Sequence, residues 1–175
     1  IDGWRLDQAY QLYQAGHSYW KEIRESIEAT CTKRKTAGNQ WGTLGYMVGE
    51  VWDWHSVIIN QGYGTDSAKG LPSCFDFPTR YRIVQVLATQ EDTSSTEATG
   101  QAASRLNDIL NEIKNQYPSF AKPNLMITNH DRVRFGDLIQ RASGLGYGTE
   151  NPDYWARHRA AFSFMAQYTG PVTLY

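Results

Sequence analysis

Residues 124–135 read NLMITNHDRVRF. Leu125, Met126, Ile127 and Thr128 are apolar or β-branched, the residue types that suit a buried strand. The run then delivers Asn129, His130 and Asp131 at its tip: an amide, an imidazole and a carboxylate. Two other strand-like runs end in the same manner, IDGWRLD (1–7) on Asp7 and GYMVGE (45–50) on Glu50. In a (β/α)8 barrel the C-terminal ends of all strands share one face, and chemistry sits there. Three carboxylates from three strands are therefore expected to converge. Convergent acids repel one another, so a use is expected: cation binding, or acid-base and nucleophilic work.

Outward from those tips, short apolar runs alternate with amphipathic helical patterns. Ile1–Leu6 reads as a strand. A helix is expected from about Ser18, with Trp20, Ile23, Ile27 and Cys31 on one stripe, basic Lys33, Arg34 and Lys35 in its last turn, and Gly38 as its stop. Leu44–Val51 is the next strand, and Gly62–Pro72 reads as a loop rich in Gly, Ser and Asp. Ser73–Phe77 is a short strand, and Pro78 opens a helix through Leu87. Residues 89–100, TQEDTSSTEATG, read as a polar, mobile surface insertion. A stripe of Ala102, Leu106, Ile109, Ile113 and Tyr117 predicts the next helix, which Pro118 ends. Asn124–Thr128 is the fourth strand, Pro152 to about Gln167 a long helix, and Gly170-Pro171 turns into a last strand, Val172–Tyr175. Such alternation argues for an α/β fold with a parallel sheet and covering helices.

Composition narrows the function classes. The chain has 175 residues, enough for one medium domain, with 17 Lys plus Arg against 18 Asp plus Glu. That balance leaves no net field to draw nucleic acid or an anionic membrane, and no apolar run reaches the length of a membrane span. The 6 Trp and 11 Tyr suit sugar rings as well as cores and interfaces. Cys31 and Cys74 lack the spacing of a zinc site. A disulfide between them would fit a periplasmic or secreted home, the expected location, whereas two buried thiols would indicate nothing. The chain opens on Ile1-Asp2-Gly3-Trp4, with no initiator Met and inside a strand-like run, so it is expected to be a piece of something larger.

The acids favour one chemistry. A metal centre would want further oxygen or nitrogen ligands beside each carboxylate. Instead Arg5 lies two residues before Asp7 on the same strand face, placing a guanidinium beside it. An ionised carboxylate opposite a second, protonable one is the arrangement of a retaining glycosidase.

The motifs GWRLD (3–7), GEVW (49–52) and TNHD (128–131), in this order and followed by GPVTLY (170–175), resemble those of the α-amylase superfamily of glycoside hydrolases. The resemblance covers residues 1–175. It implies a TIM (β/α)8 barrel of the α-amylase type, here only a partial barrel from the fourth strand to the eighth, with the upstream half outside this chain. It implies Asp7 as nucleophile, Glu50 as general acid/base and Asp131 as the residue that clamps sugar hydroxyls in the transition state. Arg5 matches the arginine that positions the nucleophile, and His130 a sugar-binding histidine. Tyr10-Gln11 stands where many α-amylases carry a Lys-His pair, which makes Tyr10 a candidate substrate contact. Trp52, beside Glu50, is another; Trp52 and Tyr46 fit packing equally well. Asp131 also fits the N-cap of the segment after it, and His130 a packed histidine. His17, His55 and His158 read as ordinary, and Arg134-Phe135 as structural. The implied activity is retaining cleavage of α-1,4-glucosidic bonds in starch or maltooligosaccharides. Transglycosylation, α-1,6-glucosidase action, an inactive fragment and a non-catalytic interaction subunit are the rival readings. Calcium is implied for the full-length enzyme, with most of its ligands upstream of Ile1. A partial barrel has open strand edges, so another copy or the upstream half is the expected partner.

Overall fold

The computed structural model describes residues 3–14, 16–40, 42–88, 100–142 and 148–175. The chain divides into two compact units: residues 1–75 with 116–123, and residues 76–115 with 124–175.

The first unit is built on a parallel sheet. Strand β1 (Gly3–Leu6) leads into a 3-10 turn, Ala9–Leu12, and a small antiparallel pair, β2 (Tyr13–Gln14) and β3 (His17–Ser18). Helix α1 (Tyr19–Thr36) follows, with Ser18 as its N-cap residue. Its buried Trp20 and half-buried Ile23 and Ile27 face the core as the stripe predicts. Gly38, at φ 71°, supplies the left-handed stop. Strand β4 (Tyr46–Gly49) is the centre of the sheet. It pairs in parallel with β1 through Arg5↔Val48 and Leu6↔Gly49.

Between β4 and the last strand, the expected loop carries more order than its composition suggests. Helix α2 (His55–Ile58) runs into a π-type turn, Ile59–Tyr63, and strands β5 (Gly64–Thr65) and β6 (Ala68–Lys69) form a hairpin. The Thr65 hydroxyl closes that hairpin by accepting the Ala68 N–H at 3.1 Å. Strand β7 (Ser73–Cys74) completes the sheet on the far side of β4, giving the order β1-β4-β7. The core beneath it gathers Ala9, Trp20, Met47, Val51, Ile58, Tyr63, Leu71 and Cys74. Cys31 and Cys74 are both free thiols, and burial pushes the Cys74 thiol well above its ordinary range.

In the second unit, α3 (Phe77–Leu87) starts as Pro78 predicts, and the Asp76 side chain caps it by accepting the Thr79 N–H at 3.2 Å. Helix α4 (Ser104–Gln116) is shorter than its stripe: Ile109 and Ile113 are buried, but Ala102 precedes the helix and is exposed. Residues 89–99 of the expected insertion lie outside the described residues. The run Asn124–Thr128 is buried from Asn124 to Ile127, yet it meets the segment after Pro171 through one parallel bridge, Leu125↔Val172, and a hydrogen bond that the Thr173 hydroxyl donates to the Asn124 side-chain oxygen at 2.9 Å. Neither predicted strand, 124–128 or 172–175, extends further. Helix α5 (Phe135–Arg141) was not anticipated, although Phe135, Leu138 and Ile139 are spaced for a single buried face. Helix α6 (Pro152–Ala166) matches its prediction. Ile83, Val84, Leu125, Ile127, Phe135, Leu138, Ile139, Ala161 and Met165 form this unit's core.

Gly49 sits where the first unit has little room. A Cβ there would lie 2.3 Å from the Leu71 Cδ1 and 3.0 Å from the Ala9 Cβ. Leu71 and Ala9 are both buried, so neither can withdraw cheaply. Gly49→Ala is expected to destabilise the full-length protein by about 1–3 kcal/mol, the usual range for overpacking, as read by urea denaturation. An unchanged midpoint would show that the β4 tip is loosely packed.

Candidate active site

The tips of β1 and β4 are stitched together residue by residue. The Glu50 N–H donates to the Leu6 carbonyl at 2.9 Å, and the Ala9 N–H donates to the Glu50 carbonyl at 2.8 Å. The indole of Trp20 then holds the Ala9 carbonyl at 2.7 Å. These contacts fix the main chain of Glu50 and of Leu6 and Ala9, which flank Asp7 and Gln8.

Arg5 joins the side chains. Its Nη1 donates to the Asp7 Oδ1, and its Nη2 donates to the Glu50 Oε1 at 3.0 Å. The planar guanidinium fork is suited to bridging two carboxylates in this way, which a lysine ammonium on its flexible stem does less well. The two acids sit in unequal surroundings. The Glu50 residue is only 5% exposed, whereas the Asp7 side chain is 62% exposed. The other Glu50 oxygen, Oε2, accepts the Gln8 backbone N–H at 3.3 Å. That last contact has no sequence signature, because a backbone donor carries no side-chain identity.

In the second unit residues 129–131 form a tight turn. Asn129 is buried and its side-chain oxygen accepts the Asp131 N–H at 3.1 Å, an Asx-type turn. His130 and Asp131 project together, His130 Nε2 lying 3.2 Å from Asp131 Oδ2, with both side chains largely open to solvent. The His130 ring lies 5.8 Å from the Tyr175 ring, and the Arg134 guanidinium stacks over Tyr175 at 4.6 Å. The N-cap alternative for Asp131 does not hold: the residue that precedes α5 is Arg134, and no side chain caps that helix.

The remaining candidates distribute as follows. Tyr10 is exposed on the turn after Asp7, and its hydroxyl donates to the Gln8 side-chain oxygen at 3.4 Å. Trp52 is exposed two residues after Glu50. Tyr46 is an exposed strand residue whose hydroxyl lies 3.3 Å from that of Ser73. Among the described residues no group of three or more His, Cys, Asp or Glu gathers to hold a metal ion. A cleft of about 360 Å3 in the second unit takes in the rings of Phe135, Tyr154, His158, Phe162 and Tyr175. His158 Nε2 makes no hydrogen bond there, and burial lowers its pKa from the ordinary 6.5.

Known proteins share this architecture. The chain matches no protein-family profile. It is 42% identical to AmyP, whose structures with maltose and, in a glutamate-to-glutamine variant, with maltotriose superpose with TM-scores of 0.80 and 0.79 over 100% of this chain and 34% of theirs. It is 28% identical over 149 residues to α-amylase 3 of Dictyoglomus thermophilum, covering 81% of this chain and 25% of that protein. A debranching enzyme of Nostoc punctiforme shares the fold at 18% identity and a TM-score of 0.65. By these likenesses the chain resembles a piece of the TIM barrel of α-amylase superfamily glycoside hydrolases. The chain spans about a third of the AmyP chain and a quarter of the curated relative.

The Arg5 fork has a thermodynamic signature. Arg5→Leu leaves the buried Glu50 carboxylate without its cation, an expected cost of about 1–3 kcal/mol at neutral pH. Adding Glu50→Gln should recover part of it. A double-mutant cycle by urea denaturation of the full-length protein checks this, and a coupling energy near zero would mean that Arg5 does not hold Glu50.

Proposed function

We propose that this chain supplies strands four to eight of the catalytic barrel of a retaining α-glycosidase that cleaves α-1,4-glucosidic bonds of starch or maltooligosaccharides. The observation that carries the reading is the single guanidinium of Arg5 touching both Asp7 and Glu50. Retaining enzymes keep their two carboxyl groups roughly 5–5.5 Å apart, and inverting enzymes hold them wider to admit a water. One guanidinium reaching both acids favours the narrow arrangement.

Asp7, exposed at the β1 tip, attacks the anomeric carbon as the glycosidic C–O bond breaks. Glu50 gives its proton to the departing oxygen, so the leaving chain departs as a neutral alcohol. Water then attacks the anomeric carbon of the glycosyl-Asp7 ester, Glu50 takes up its proton, and Asp7 is released as a carboxylate. Arg5 orients both acids throughout. Asp131 and His130 clamp sugar hydroxyls, and Tyr10 and Trp52 contact sugar. The maltose and maltotriose complexes of AmyP support a maltooligosaccharide substrate. The rest of the barrel, from the same longer protein, completes the sheet beside β1, with a second copy as the alternative partner. Calcium is proposed for the full-length enzyme, with most of its ligands upstream of Ile1, and a periplasmic or secreted location fits an enzyme acting on polymeric glucan.

Glu50→Gln in the full-length enzyme is expected to lower kcat on maltoheptaose by about 10²–10⁴-fold while circular dichroism stays unchanged. Wild-type turnover in that variant would remove Glu50 from the mechanism. Proton NMR of the first product formed should show the α-anomer. Cleavage confined to branched glucans, or transfer to a sugar acceptor in preference to water, would move the assignment to α-1,6-glucosidase or transglycosylase.

A further inference from the structure

Gln8 is the single non-glycine residue with positive φ among the described residues, at φ 43° and ψ 47°. Left-handed backbone is uncommon for a residue with a β-carbon and persists where the surroundings over-determine it. Here they do. The Ala9 N–H is committed to the Glu50 carbonyl and the Ala9 carbonyl to Trp20, so the chain leaves Gln8 in a fixed direction. The Gln11 N–H donates back to the Gln8 carbonyl at 3.0 Å. The Gln8 side-chain oxygen in turn accepts from the Gln11 amide and the Tyr10 hydroxyl. Five contacts thus bracket one strained residue.

The result of that turn is the direction of one N–H. It points at the Glu50 Oε2, while Arg5 Nη2 holds Oε1. A carboxyl that must deliver a proton to one oxygen atom and later recover one from water has to keep its plane through both steps. One donor on a single oxygen leaves the group free to rotate; a donor on each oxygen fixes it. We propose that Gln8 is a positioning residue for Glu50, its left-handed turn aiming a backbone N–H that sets the carboxyl plane for proton transfer. The inference rests on the reading of Glu50 as general acid/base.

Two variants of the full-length enzyme separate this role from a merely structural turn. Gln8→Gly accepts positive φ without strain and keeps the N–H. Gln8→Val disfavours it, because a β-branched residue in the left-handed region is a genuine outlier. Gln8→Val is expected to lower kcat/KM on maltoheptaose by about tenfold or more, within the range of acid-base assistance. It should lower kcat/KM on α-maltotriosyl fluoride far less, because that ratio reports the first step and fluoride leaves there without a proton. Gln8→Gly should recover most of the loss on maltoheptaose. Equal losses on both substrates, or no loss in Gln8→Val, would overturn the proposal. Crystal structures of the two variants give a readout independent of turnover. The contact from residue 8 N–H to Glu50 Oε2 should persist with glycine and break with valine. If the wild-type enzyme hydrolyses no glucan, the functional reading fails by itself. The crystallographic pair still decides the positioning claim, and a contact retained in both variants would refute it.

Discussion

The site depends on one guanidinium. Arg5 can touch Asp7 and Glu50 together only if β1 and β4 run parallel, in the register that sets Leu6 opposite Gly49. A one-residue slip in either strand would turn its side chains to the opposite face and break the bridge. Much of the first unit's detail serves that register. Gly49 is small enough for Ala9 and Leu71 to close over the tip of β4, and Ala9 sits close enough for its N–H to reach the Glu50 carbonyl. Trp20 on α1 ties that same residue to the helix layer. The core beneath the sheet and the geometry of the acids are consequently one construction.

The same arrangement sets the two carboxylates in unequal surroundings. Asp7 opens to solvent, and Glu50 is enclosed between the sheet and the turn that follows β1. Two acids on one donor, in unequal surroundings, suit a reaction that needs one to attack and the other to exchange a proton. In the second unit His130 and Asp131 form a pair above the Asn129 turn. The imidazole and carboxylate present a donor and an acceptor side by side, which complements the hydroxyls of a sugar.

Much of this was legible in the residues, and the misses have physical causes. Strands β1 and β4 and helices α1, α3 and α6 carried strong periodicity or a clear cap, such as Pro78 behind Asp76. The pairing of Arg5 with Asp7 followed from their i, i+2 spacing on one strand face. The segment Gly62–Pro72 was read as loop because Gly, Asp and Ser dominate it. Two-residue strands such as β5 and β6 are too short for alternation to register, and their hairpin depends on a Thr65 hydroxyl contact. The 124–128 run is apolar because it is buried, yet burial does not require a ladder, and it carries isolated bridge positions at Asn124 and Leu125 in place of a strand. Gln8 was invisible for a different reason. Its contribution is a dihedral angle and a backbone N–H, and no residue type announces either.

The most direct test of the central claim is to trap the covalent intermediate. The full-length enzyme, incubated with a fluorine-substituted α-glucosyl fluoride that forms the glycosyl ester faster than water cleaves it, is digested and analysed by tandem mass spectrometry. The account predicts one added glycosyl unit on the peptide that contains Asp7, on the Asp7 carboxylate itself. A label on Glu50 or Asp131, or turnover of the reagent to the β-anomer without any label, would contradict it.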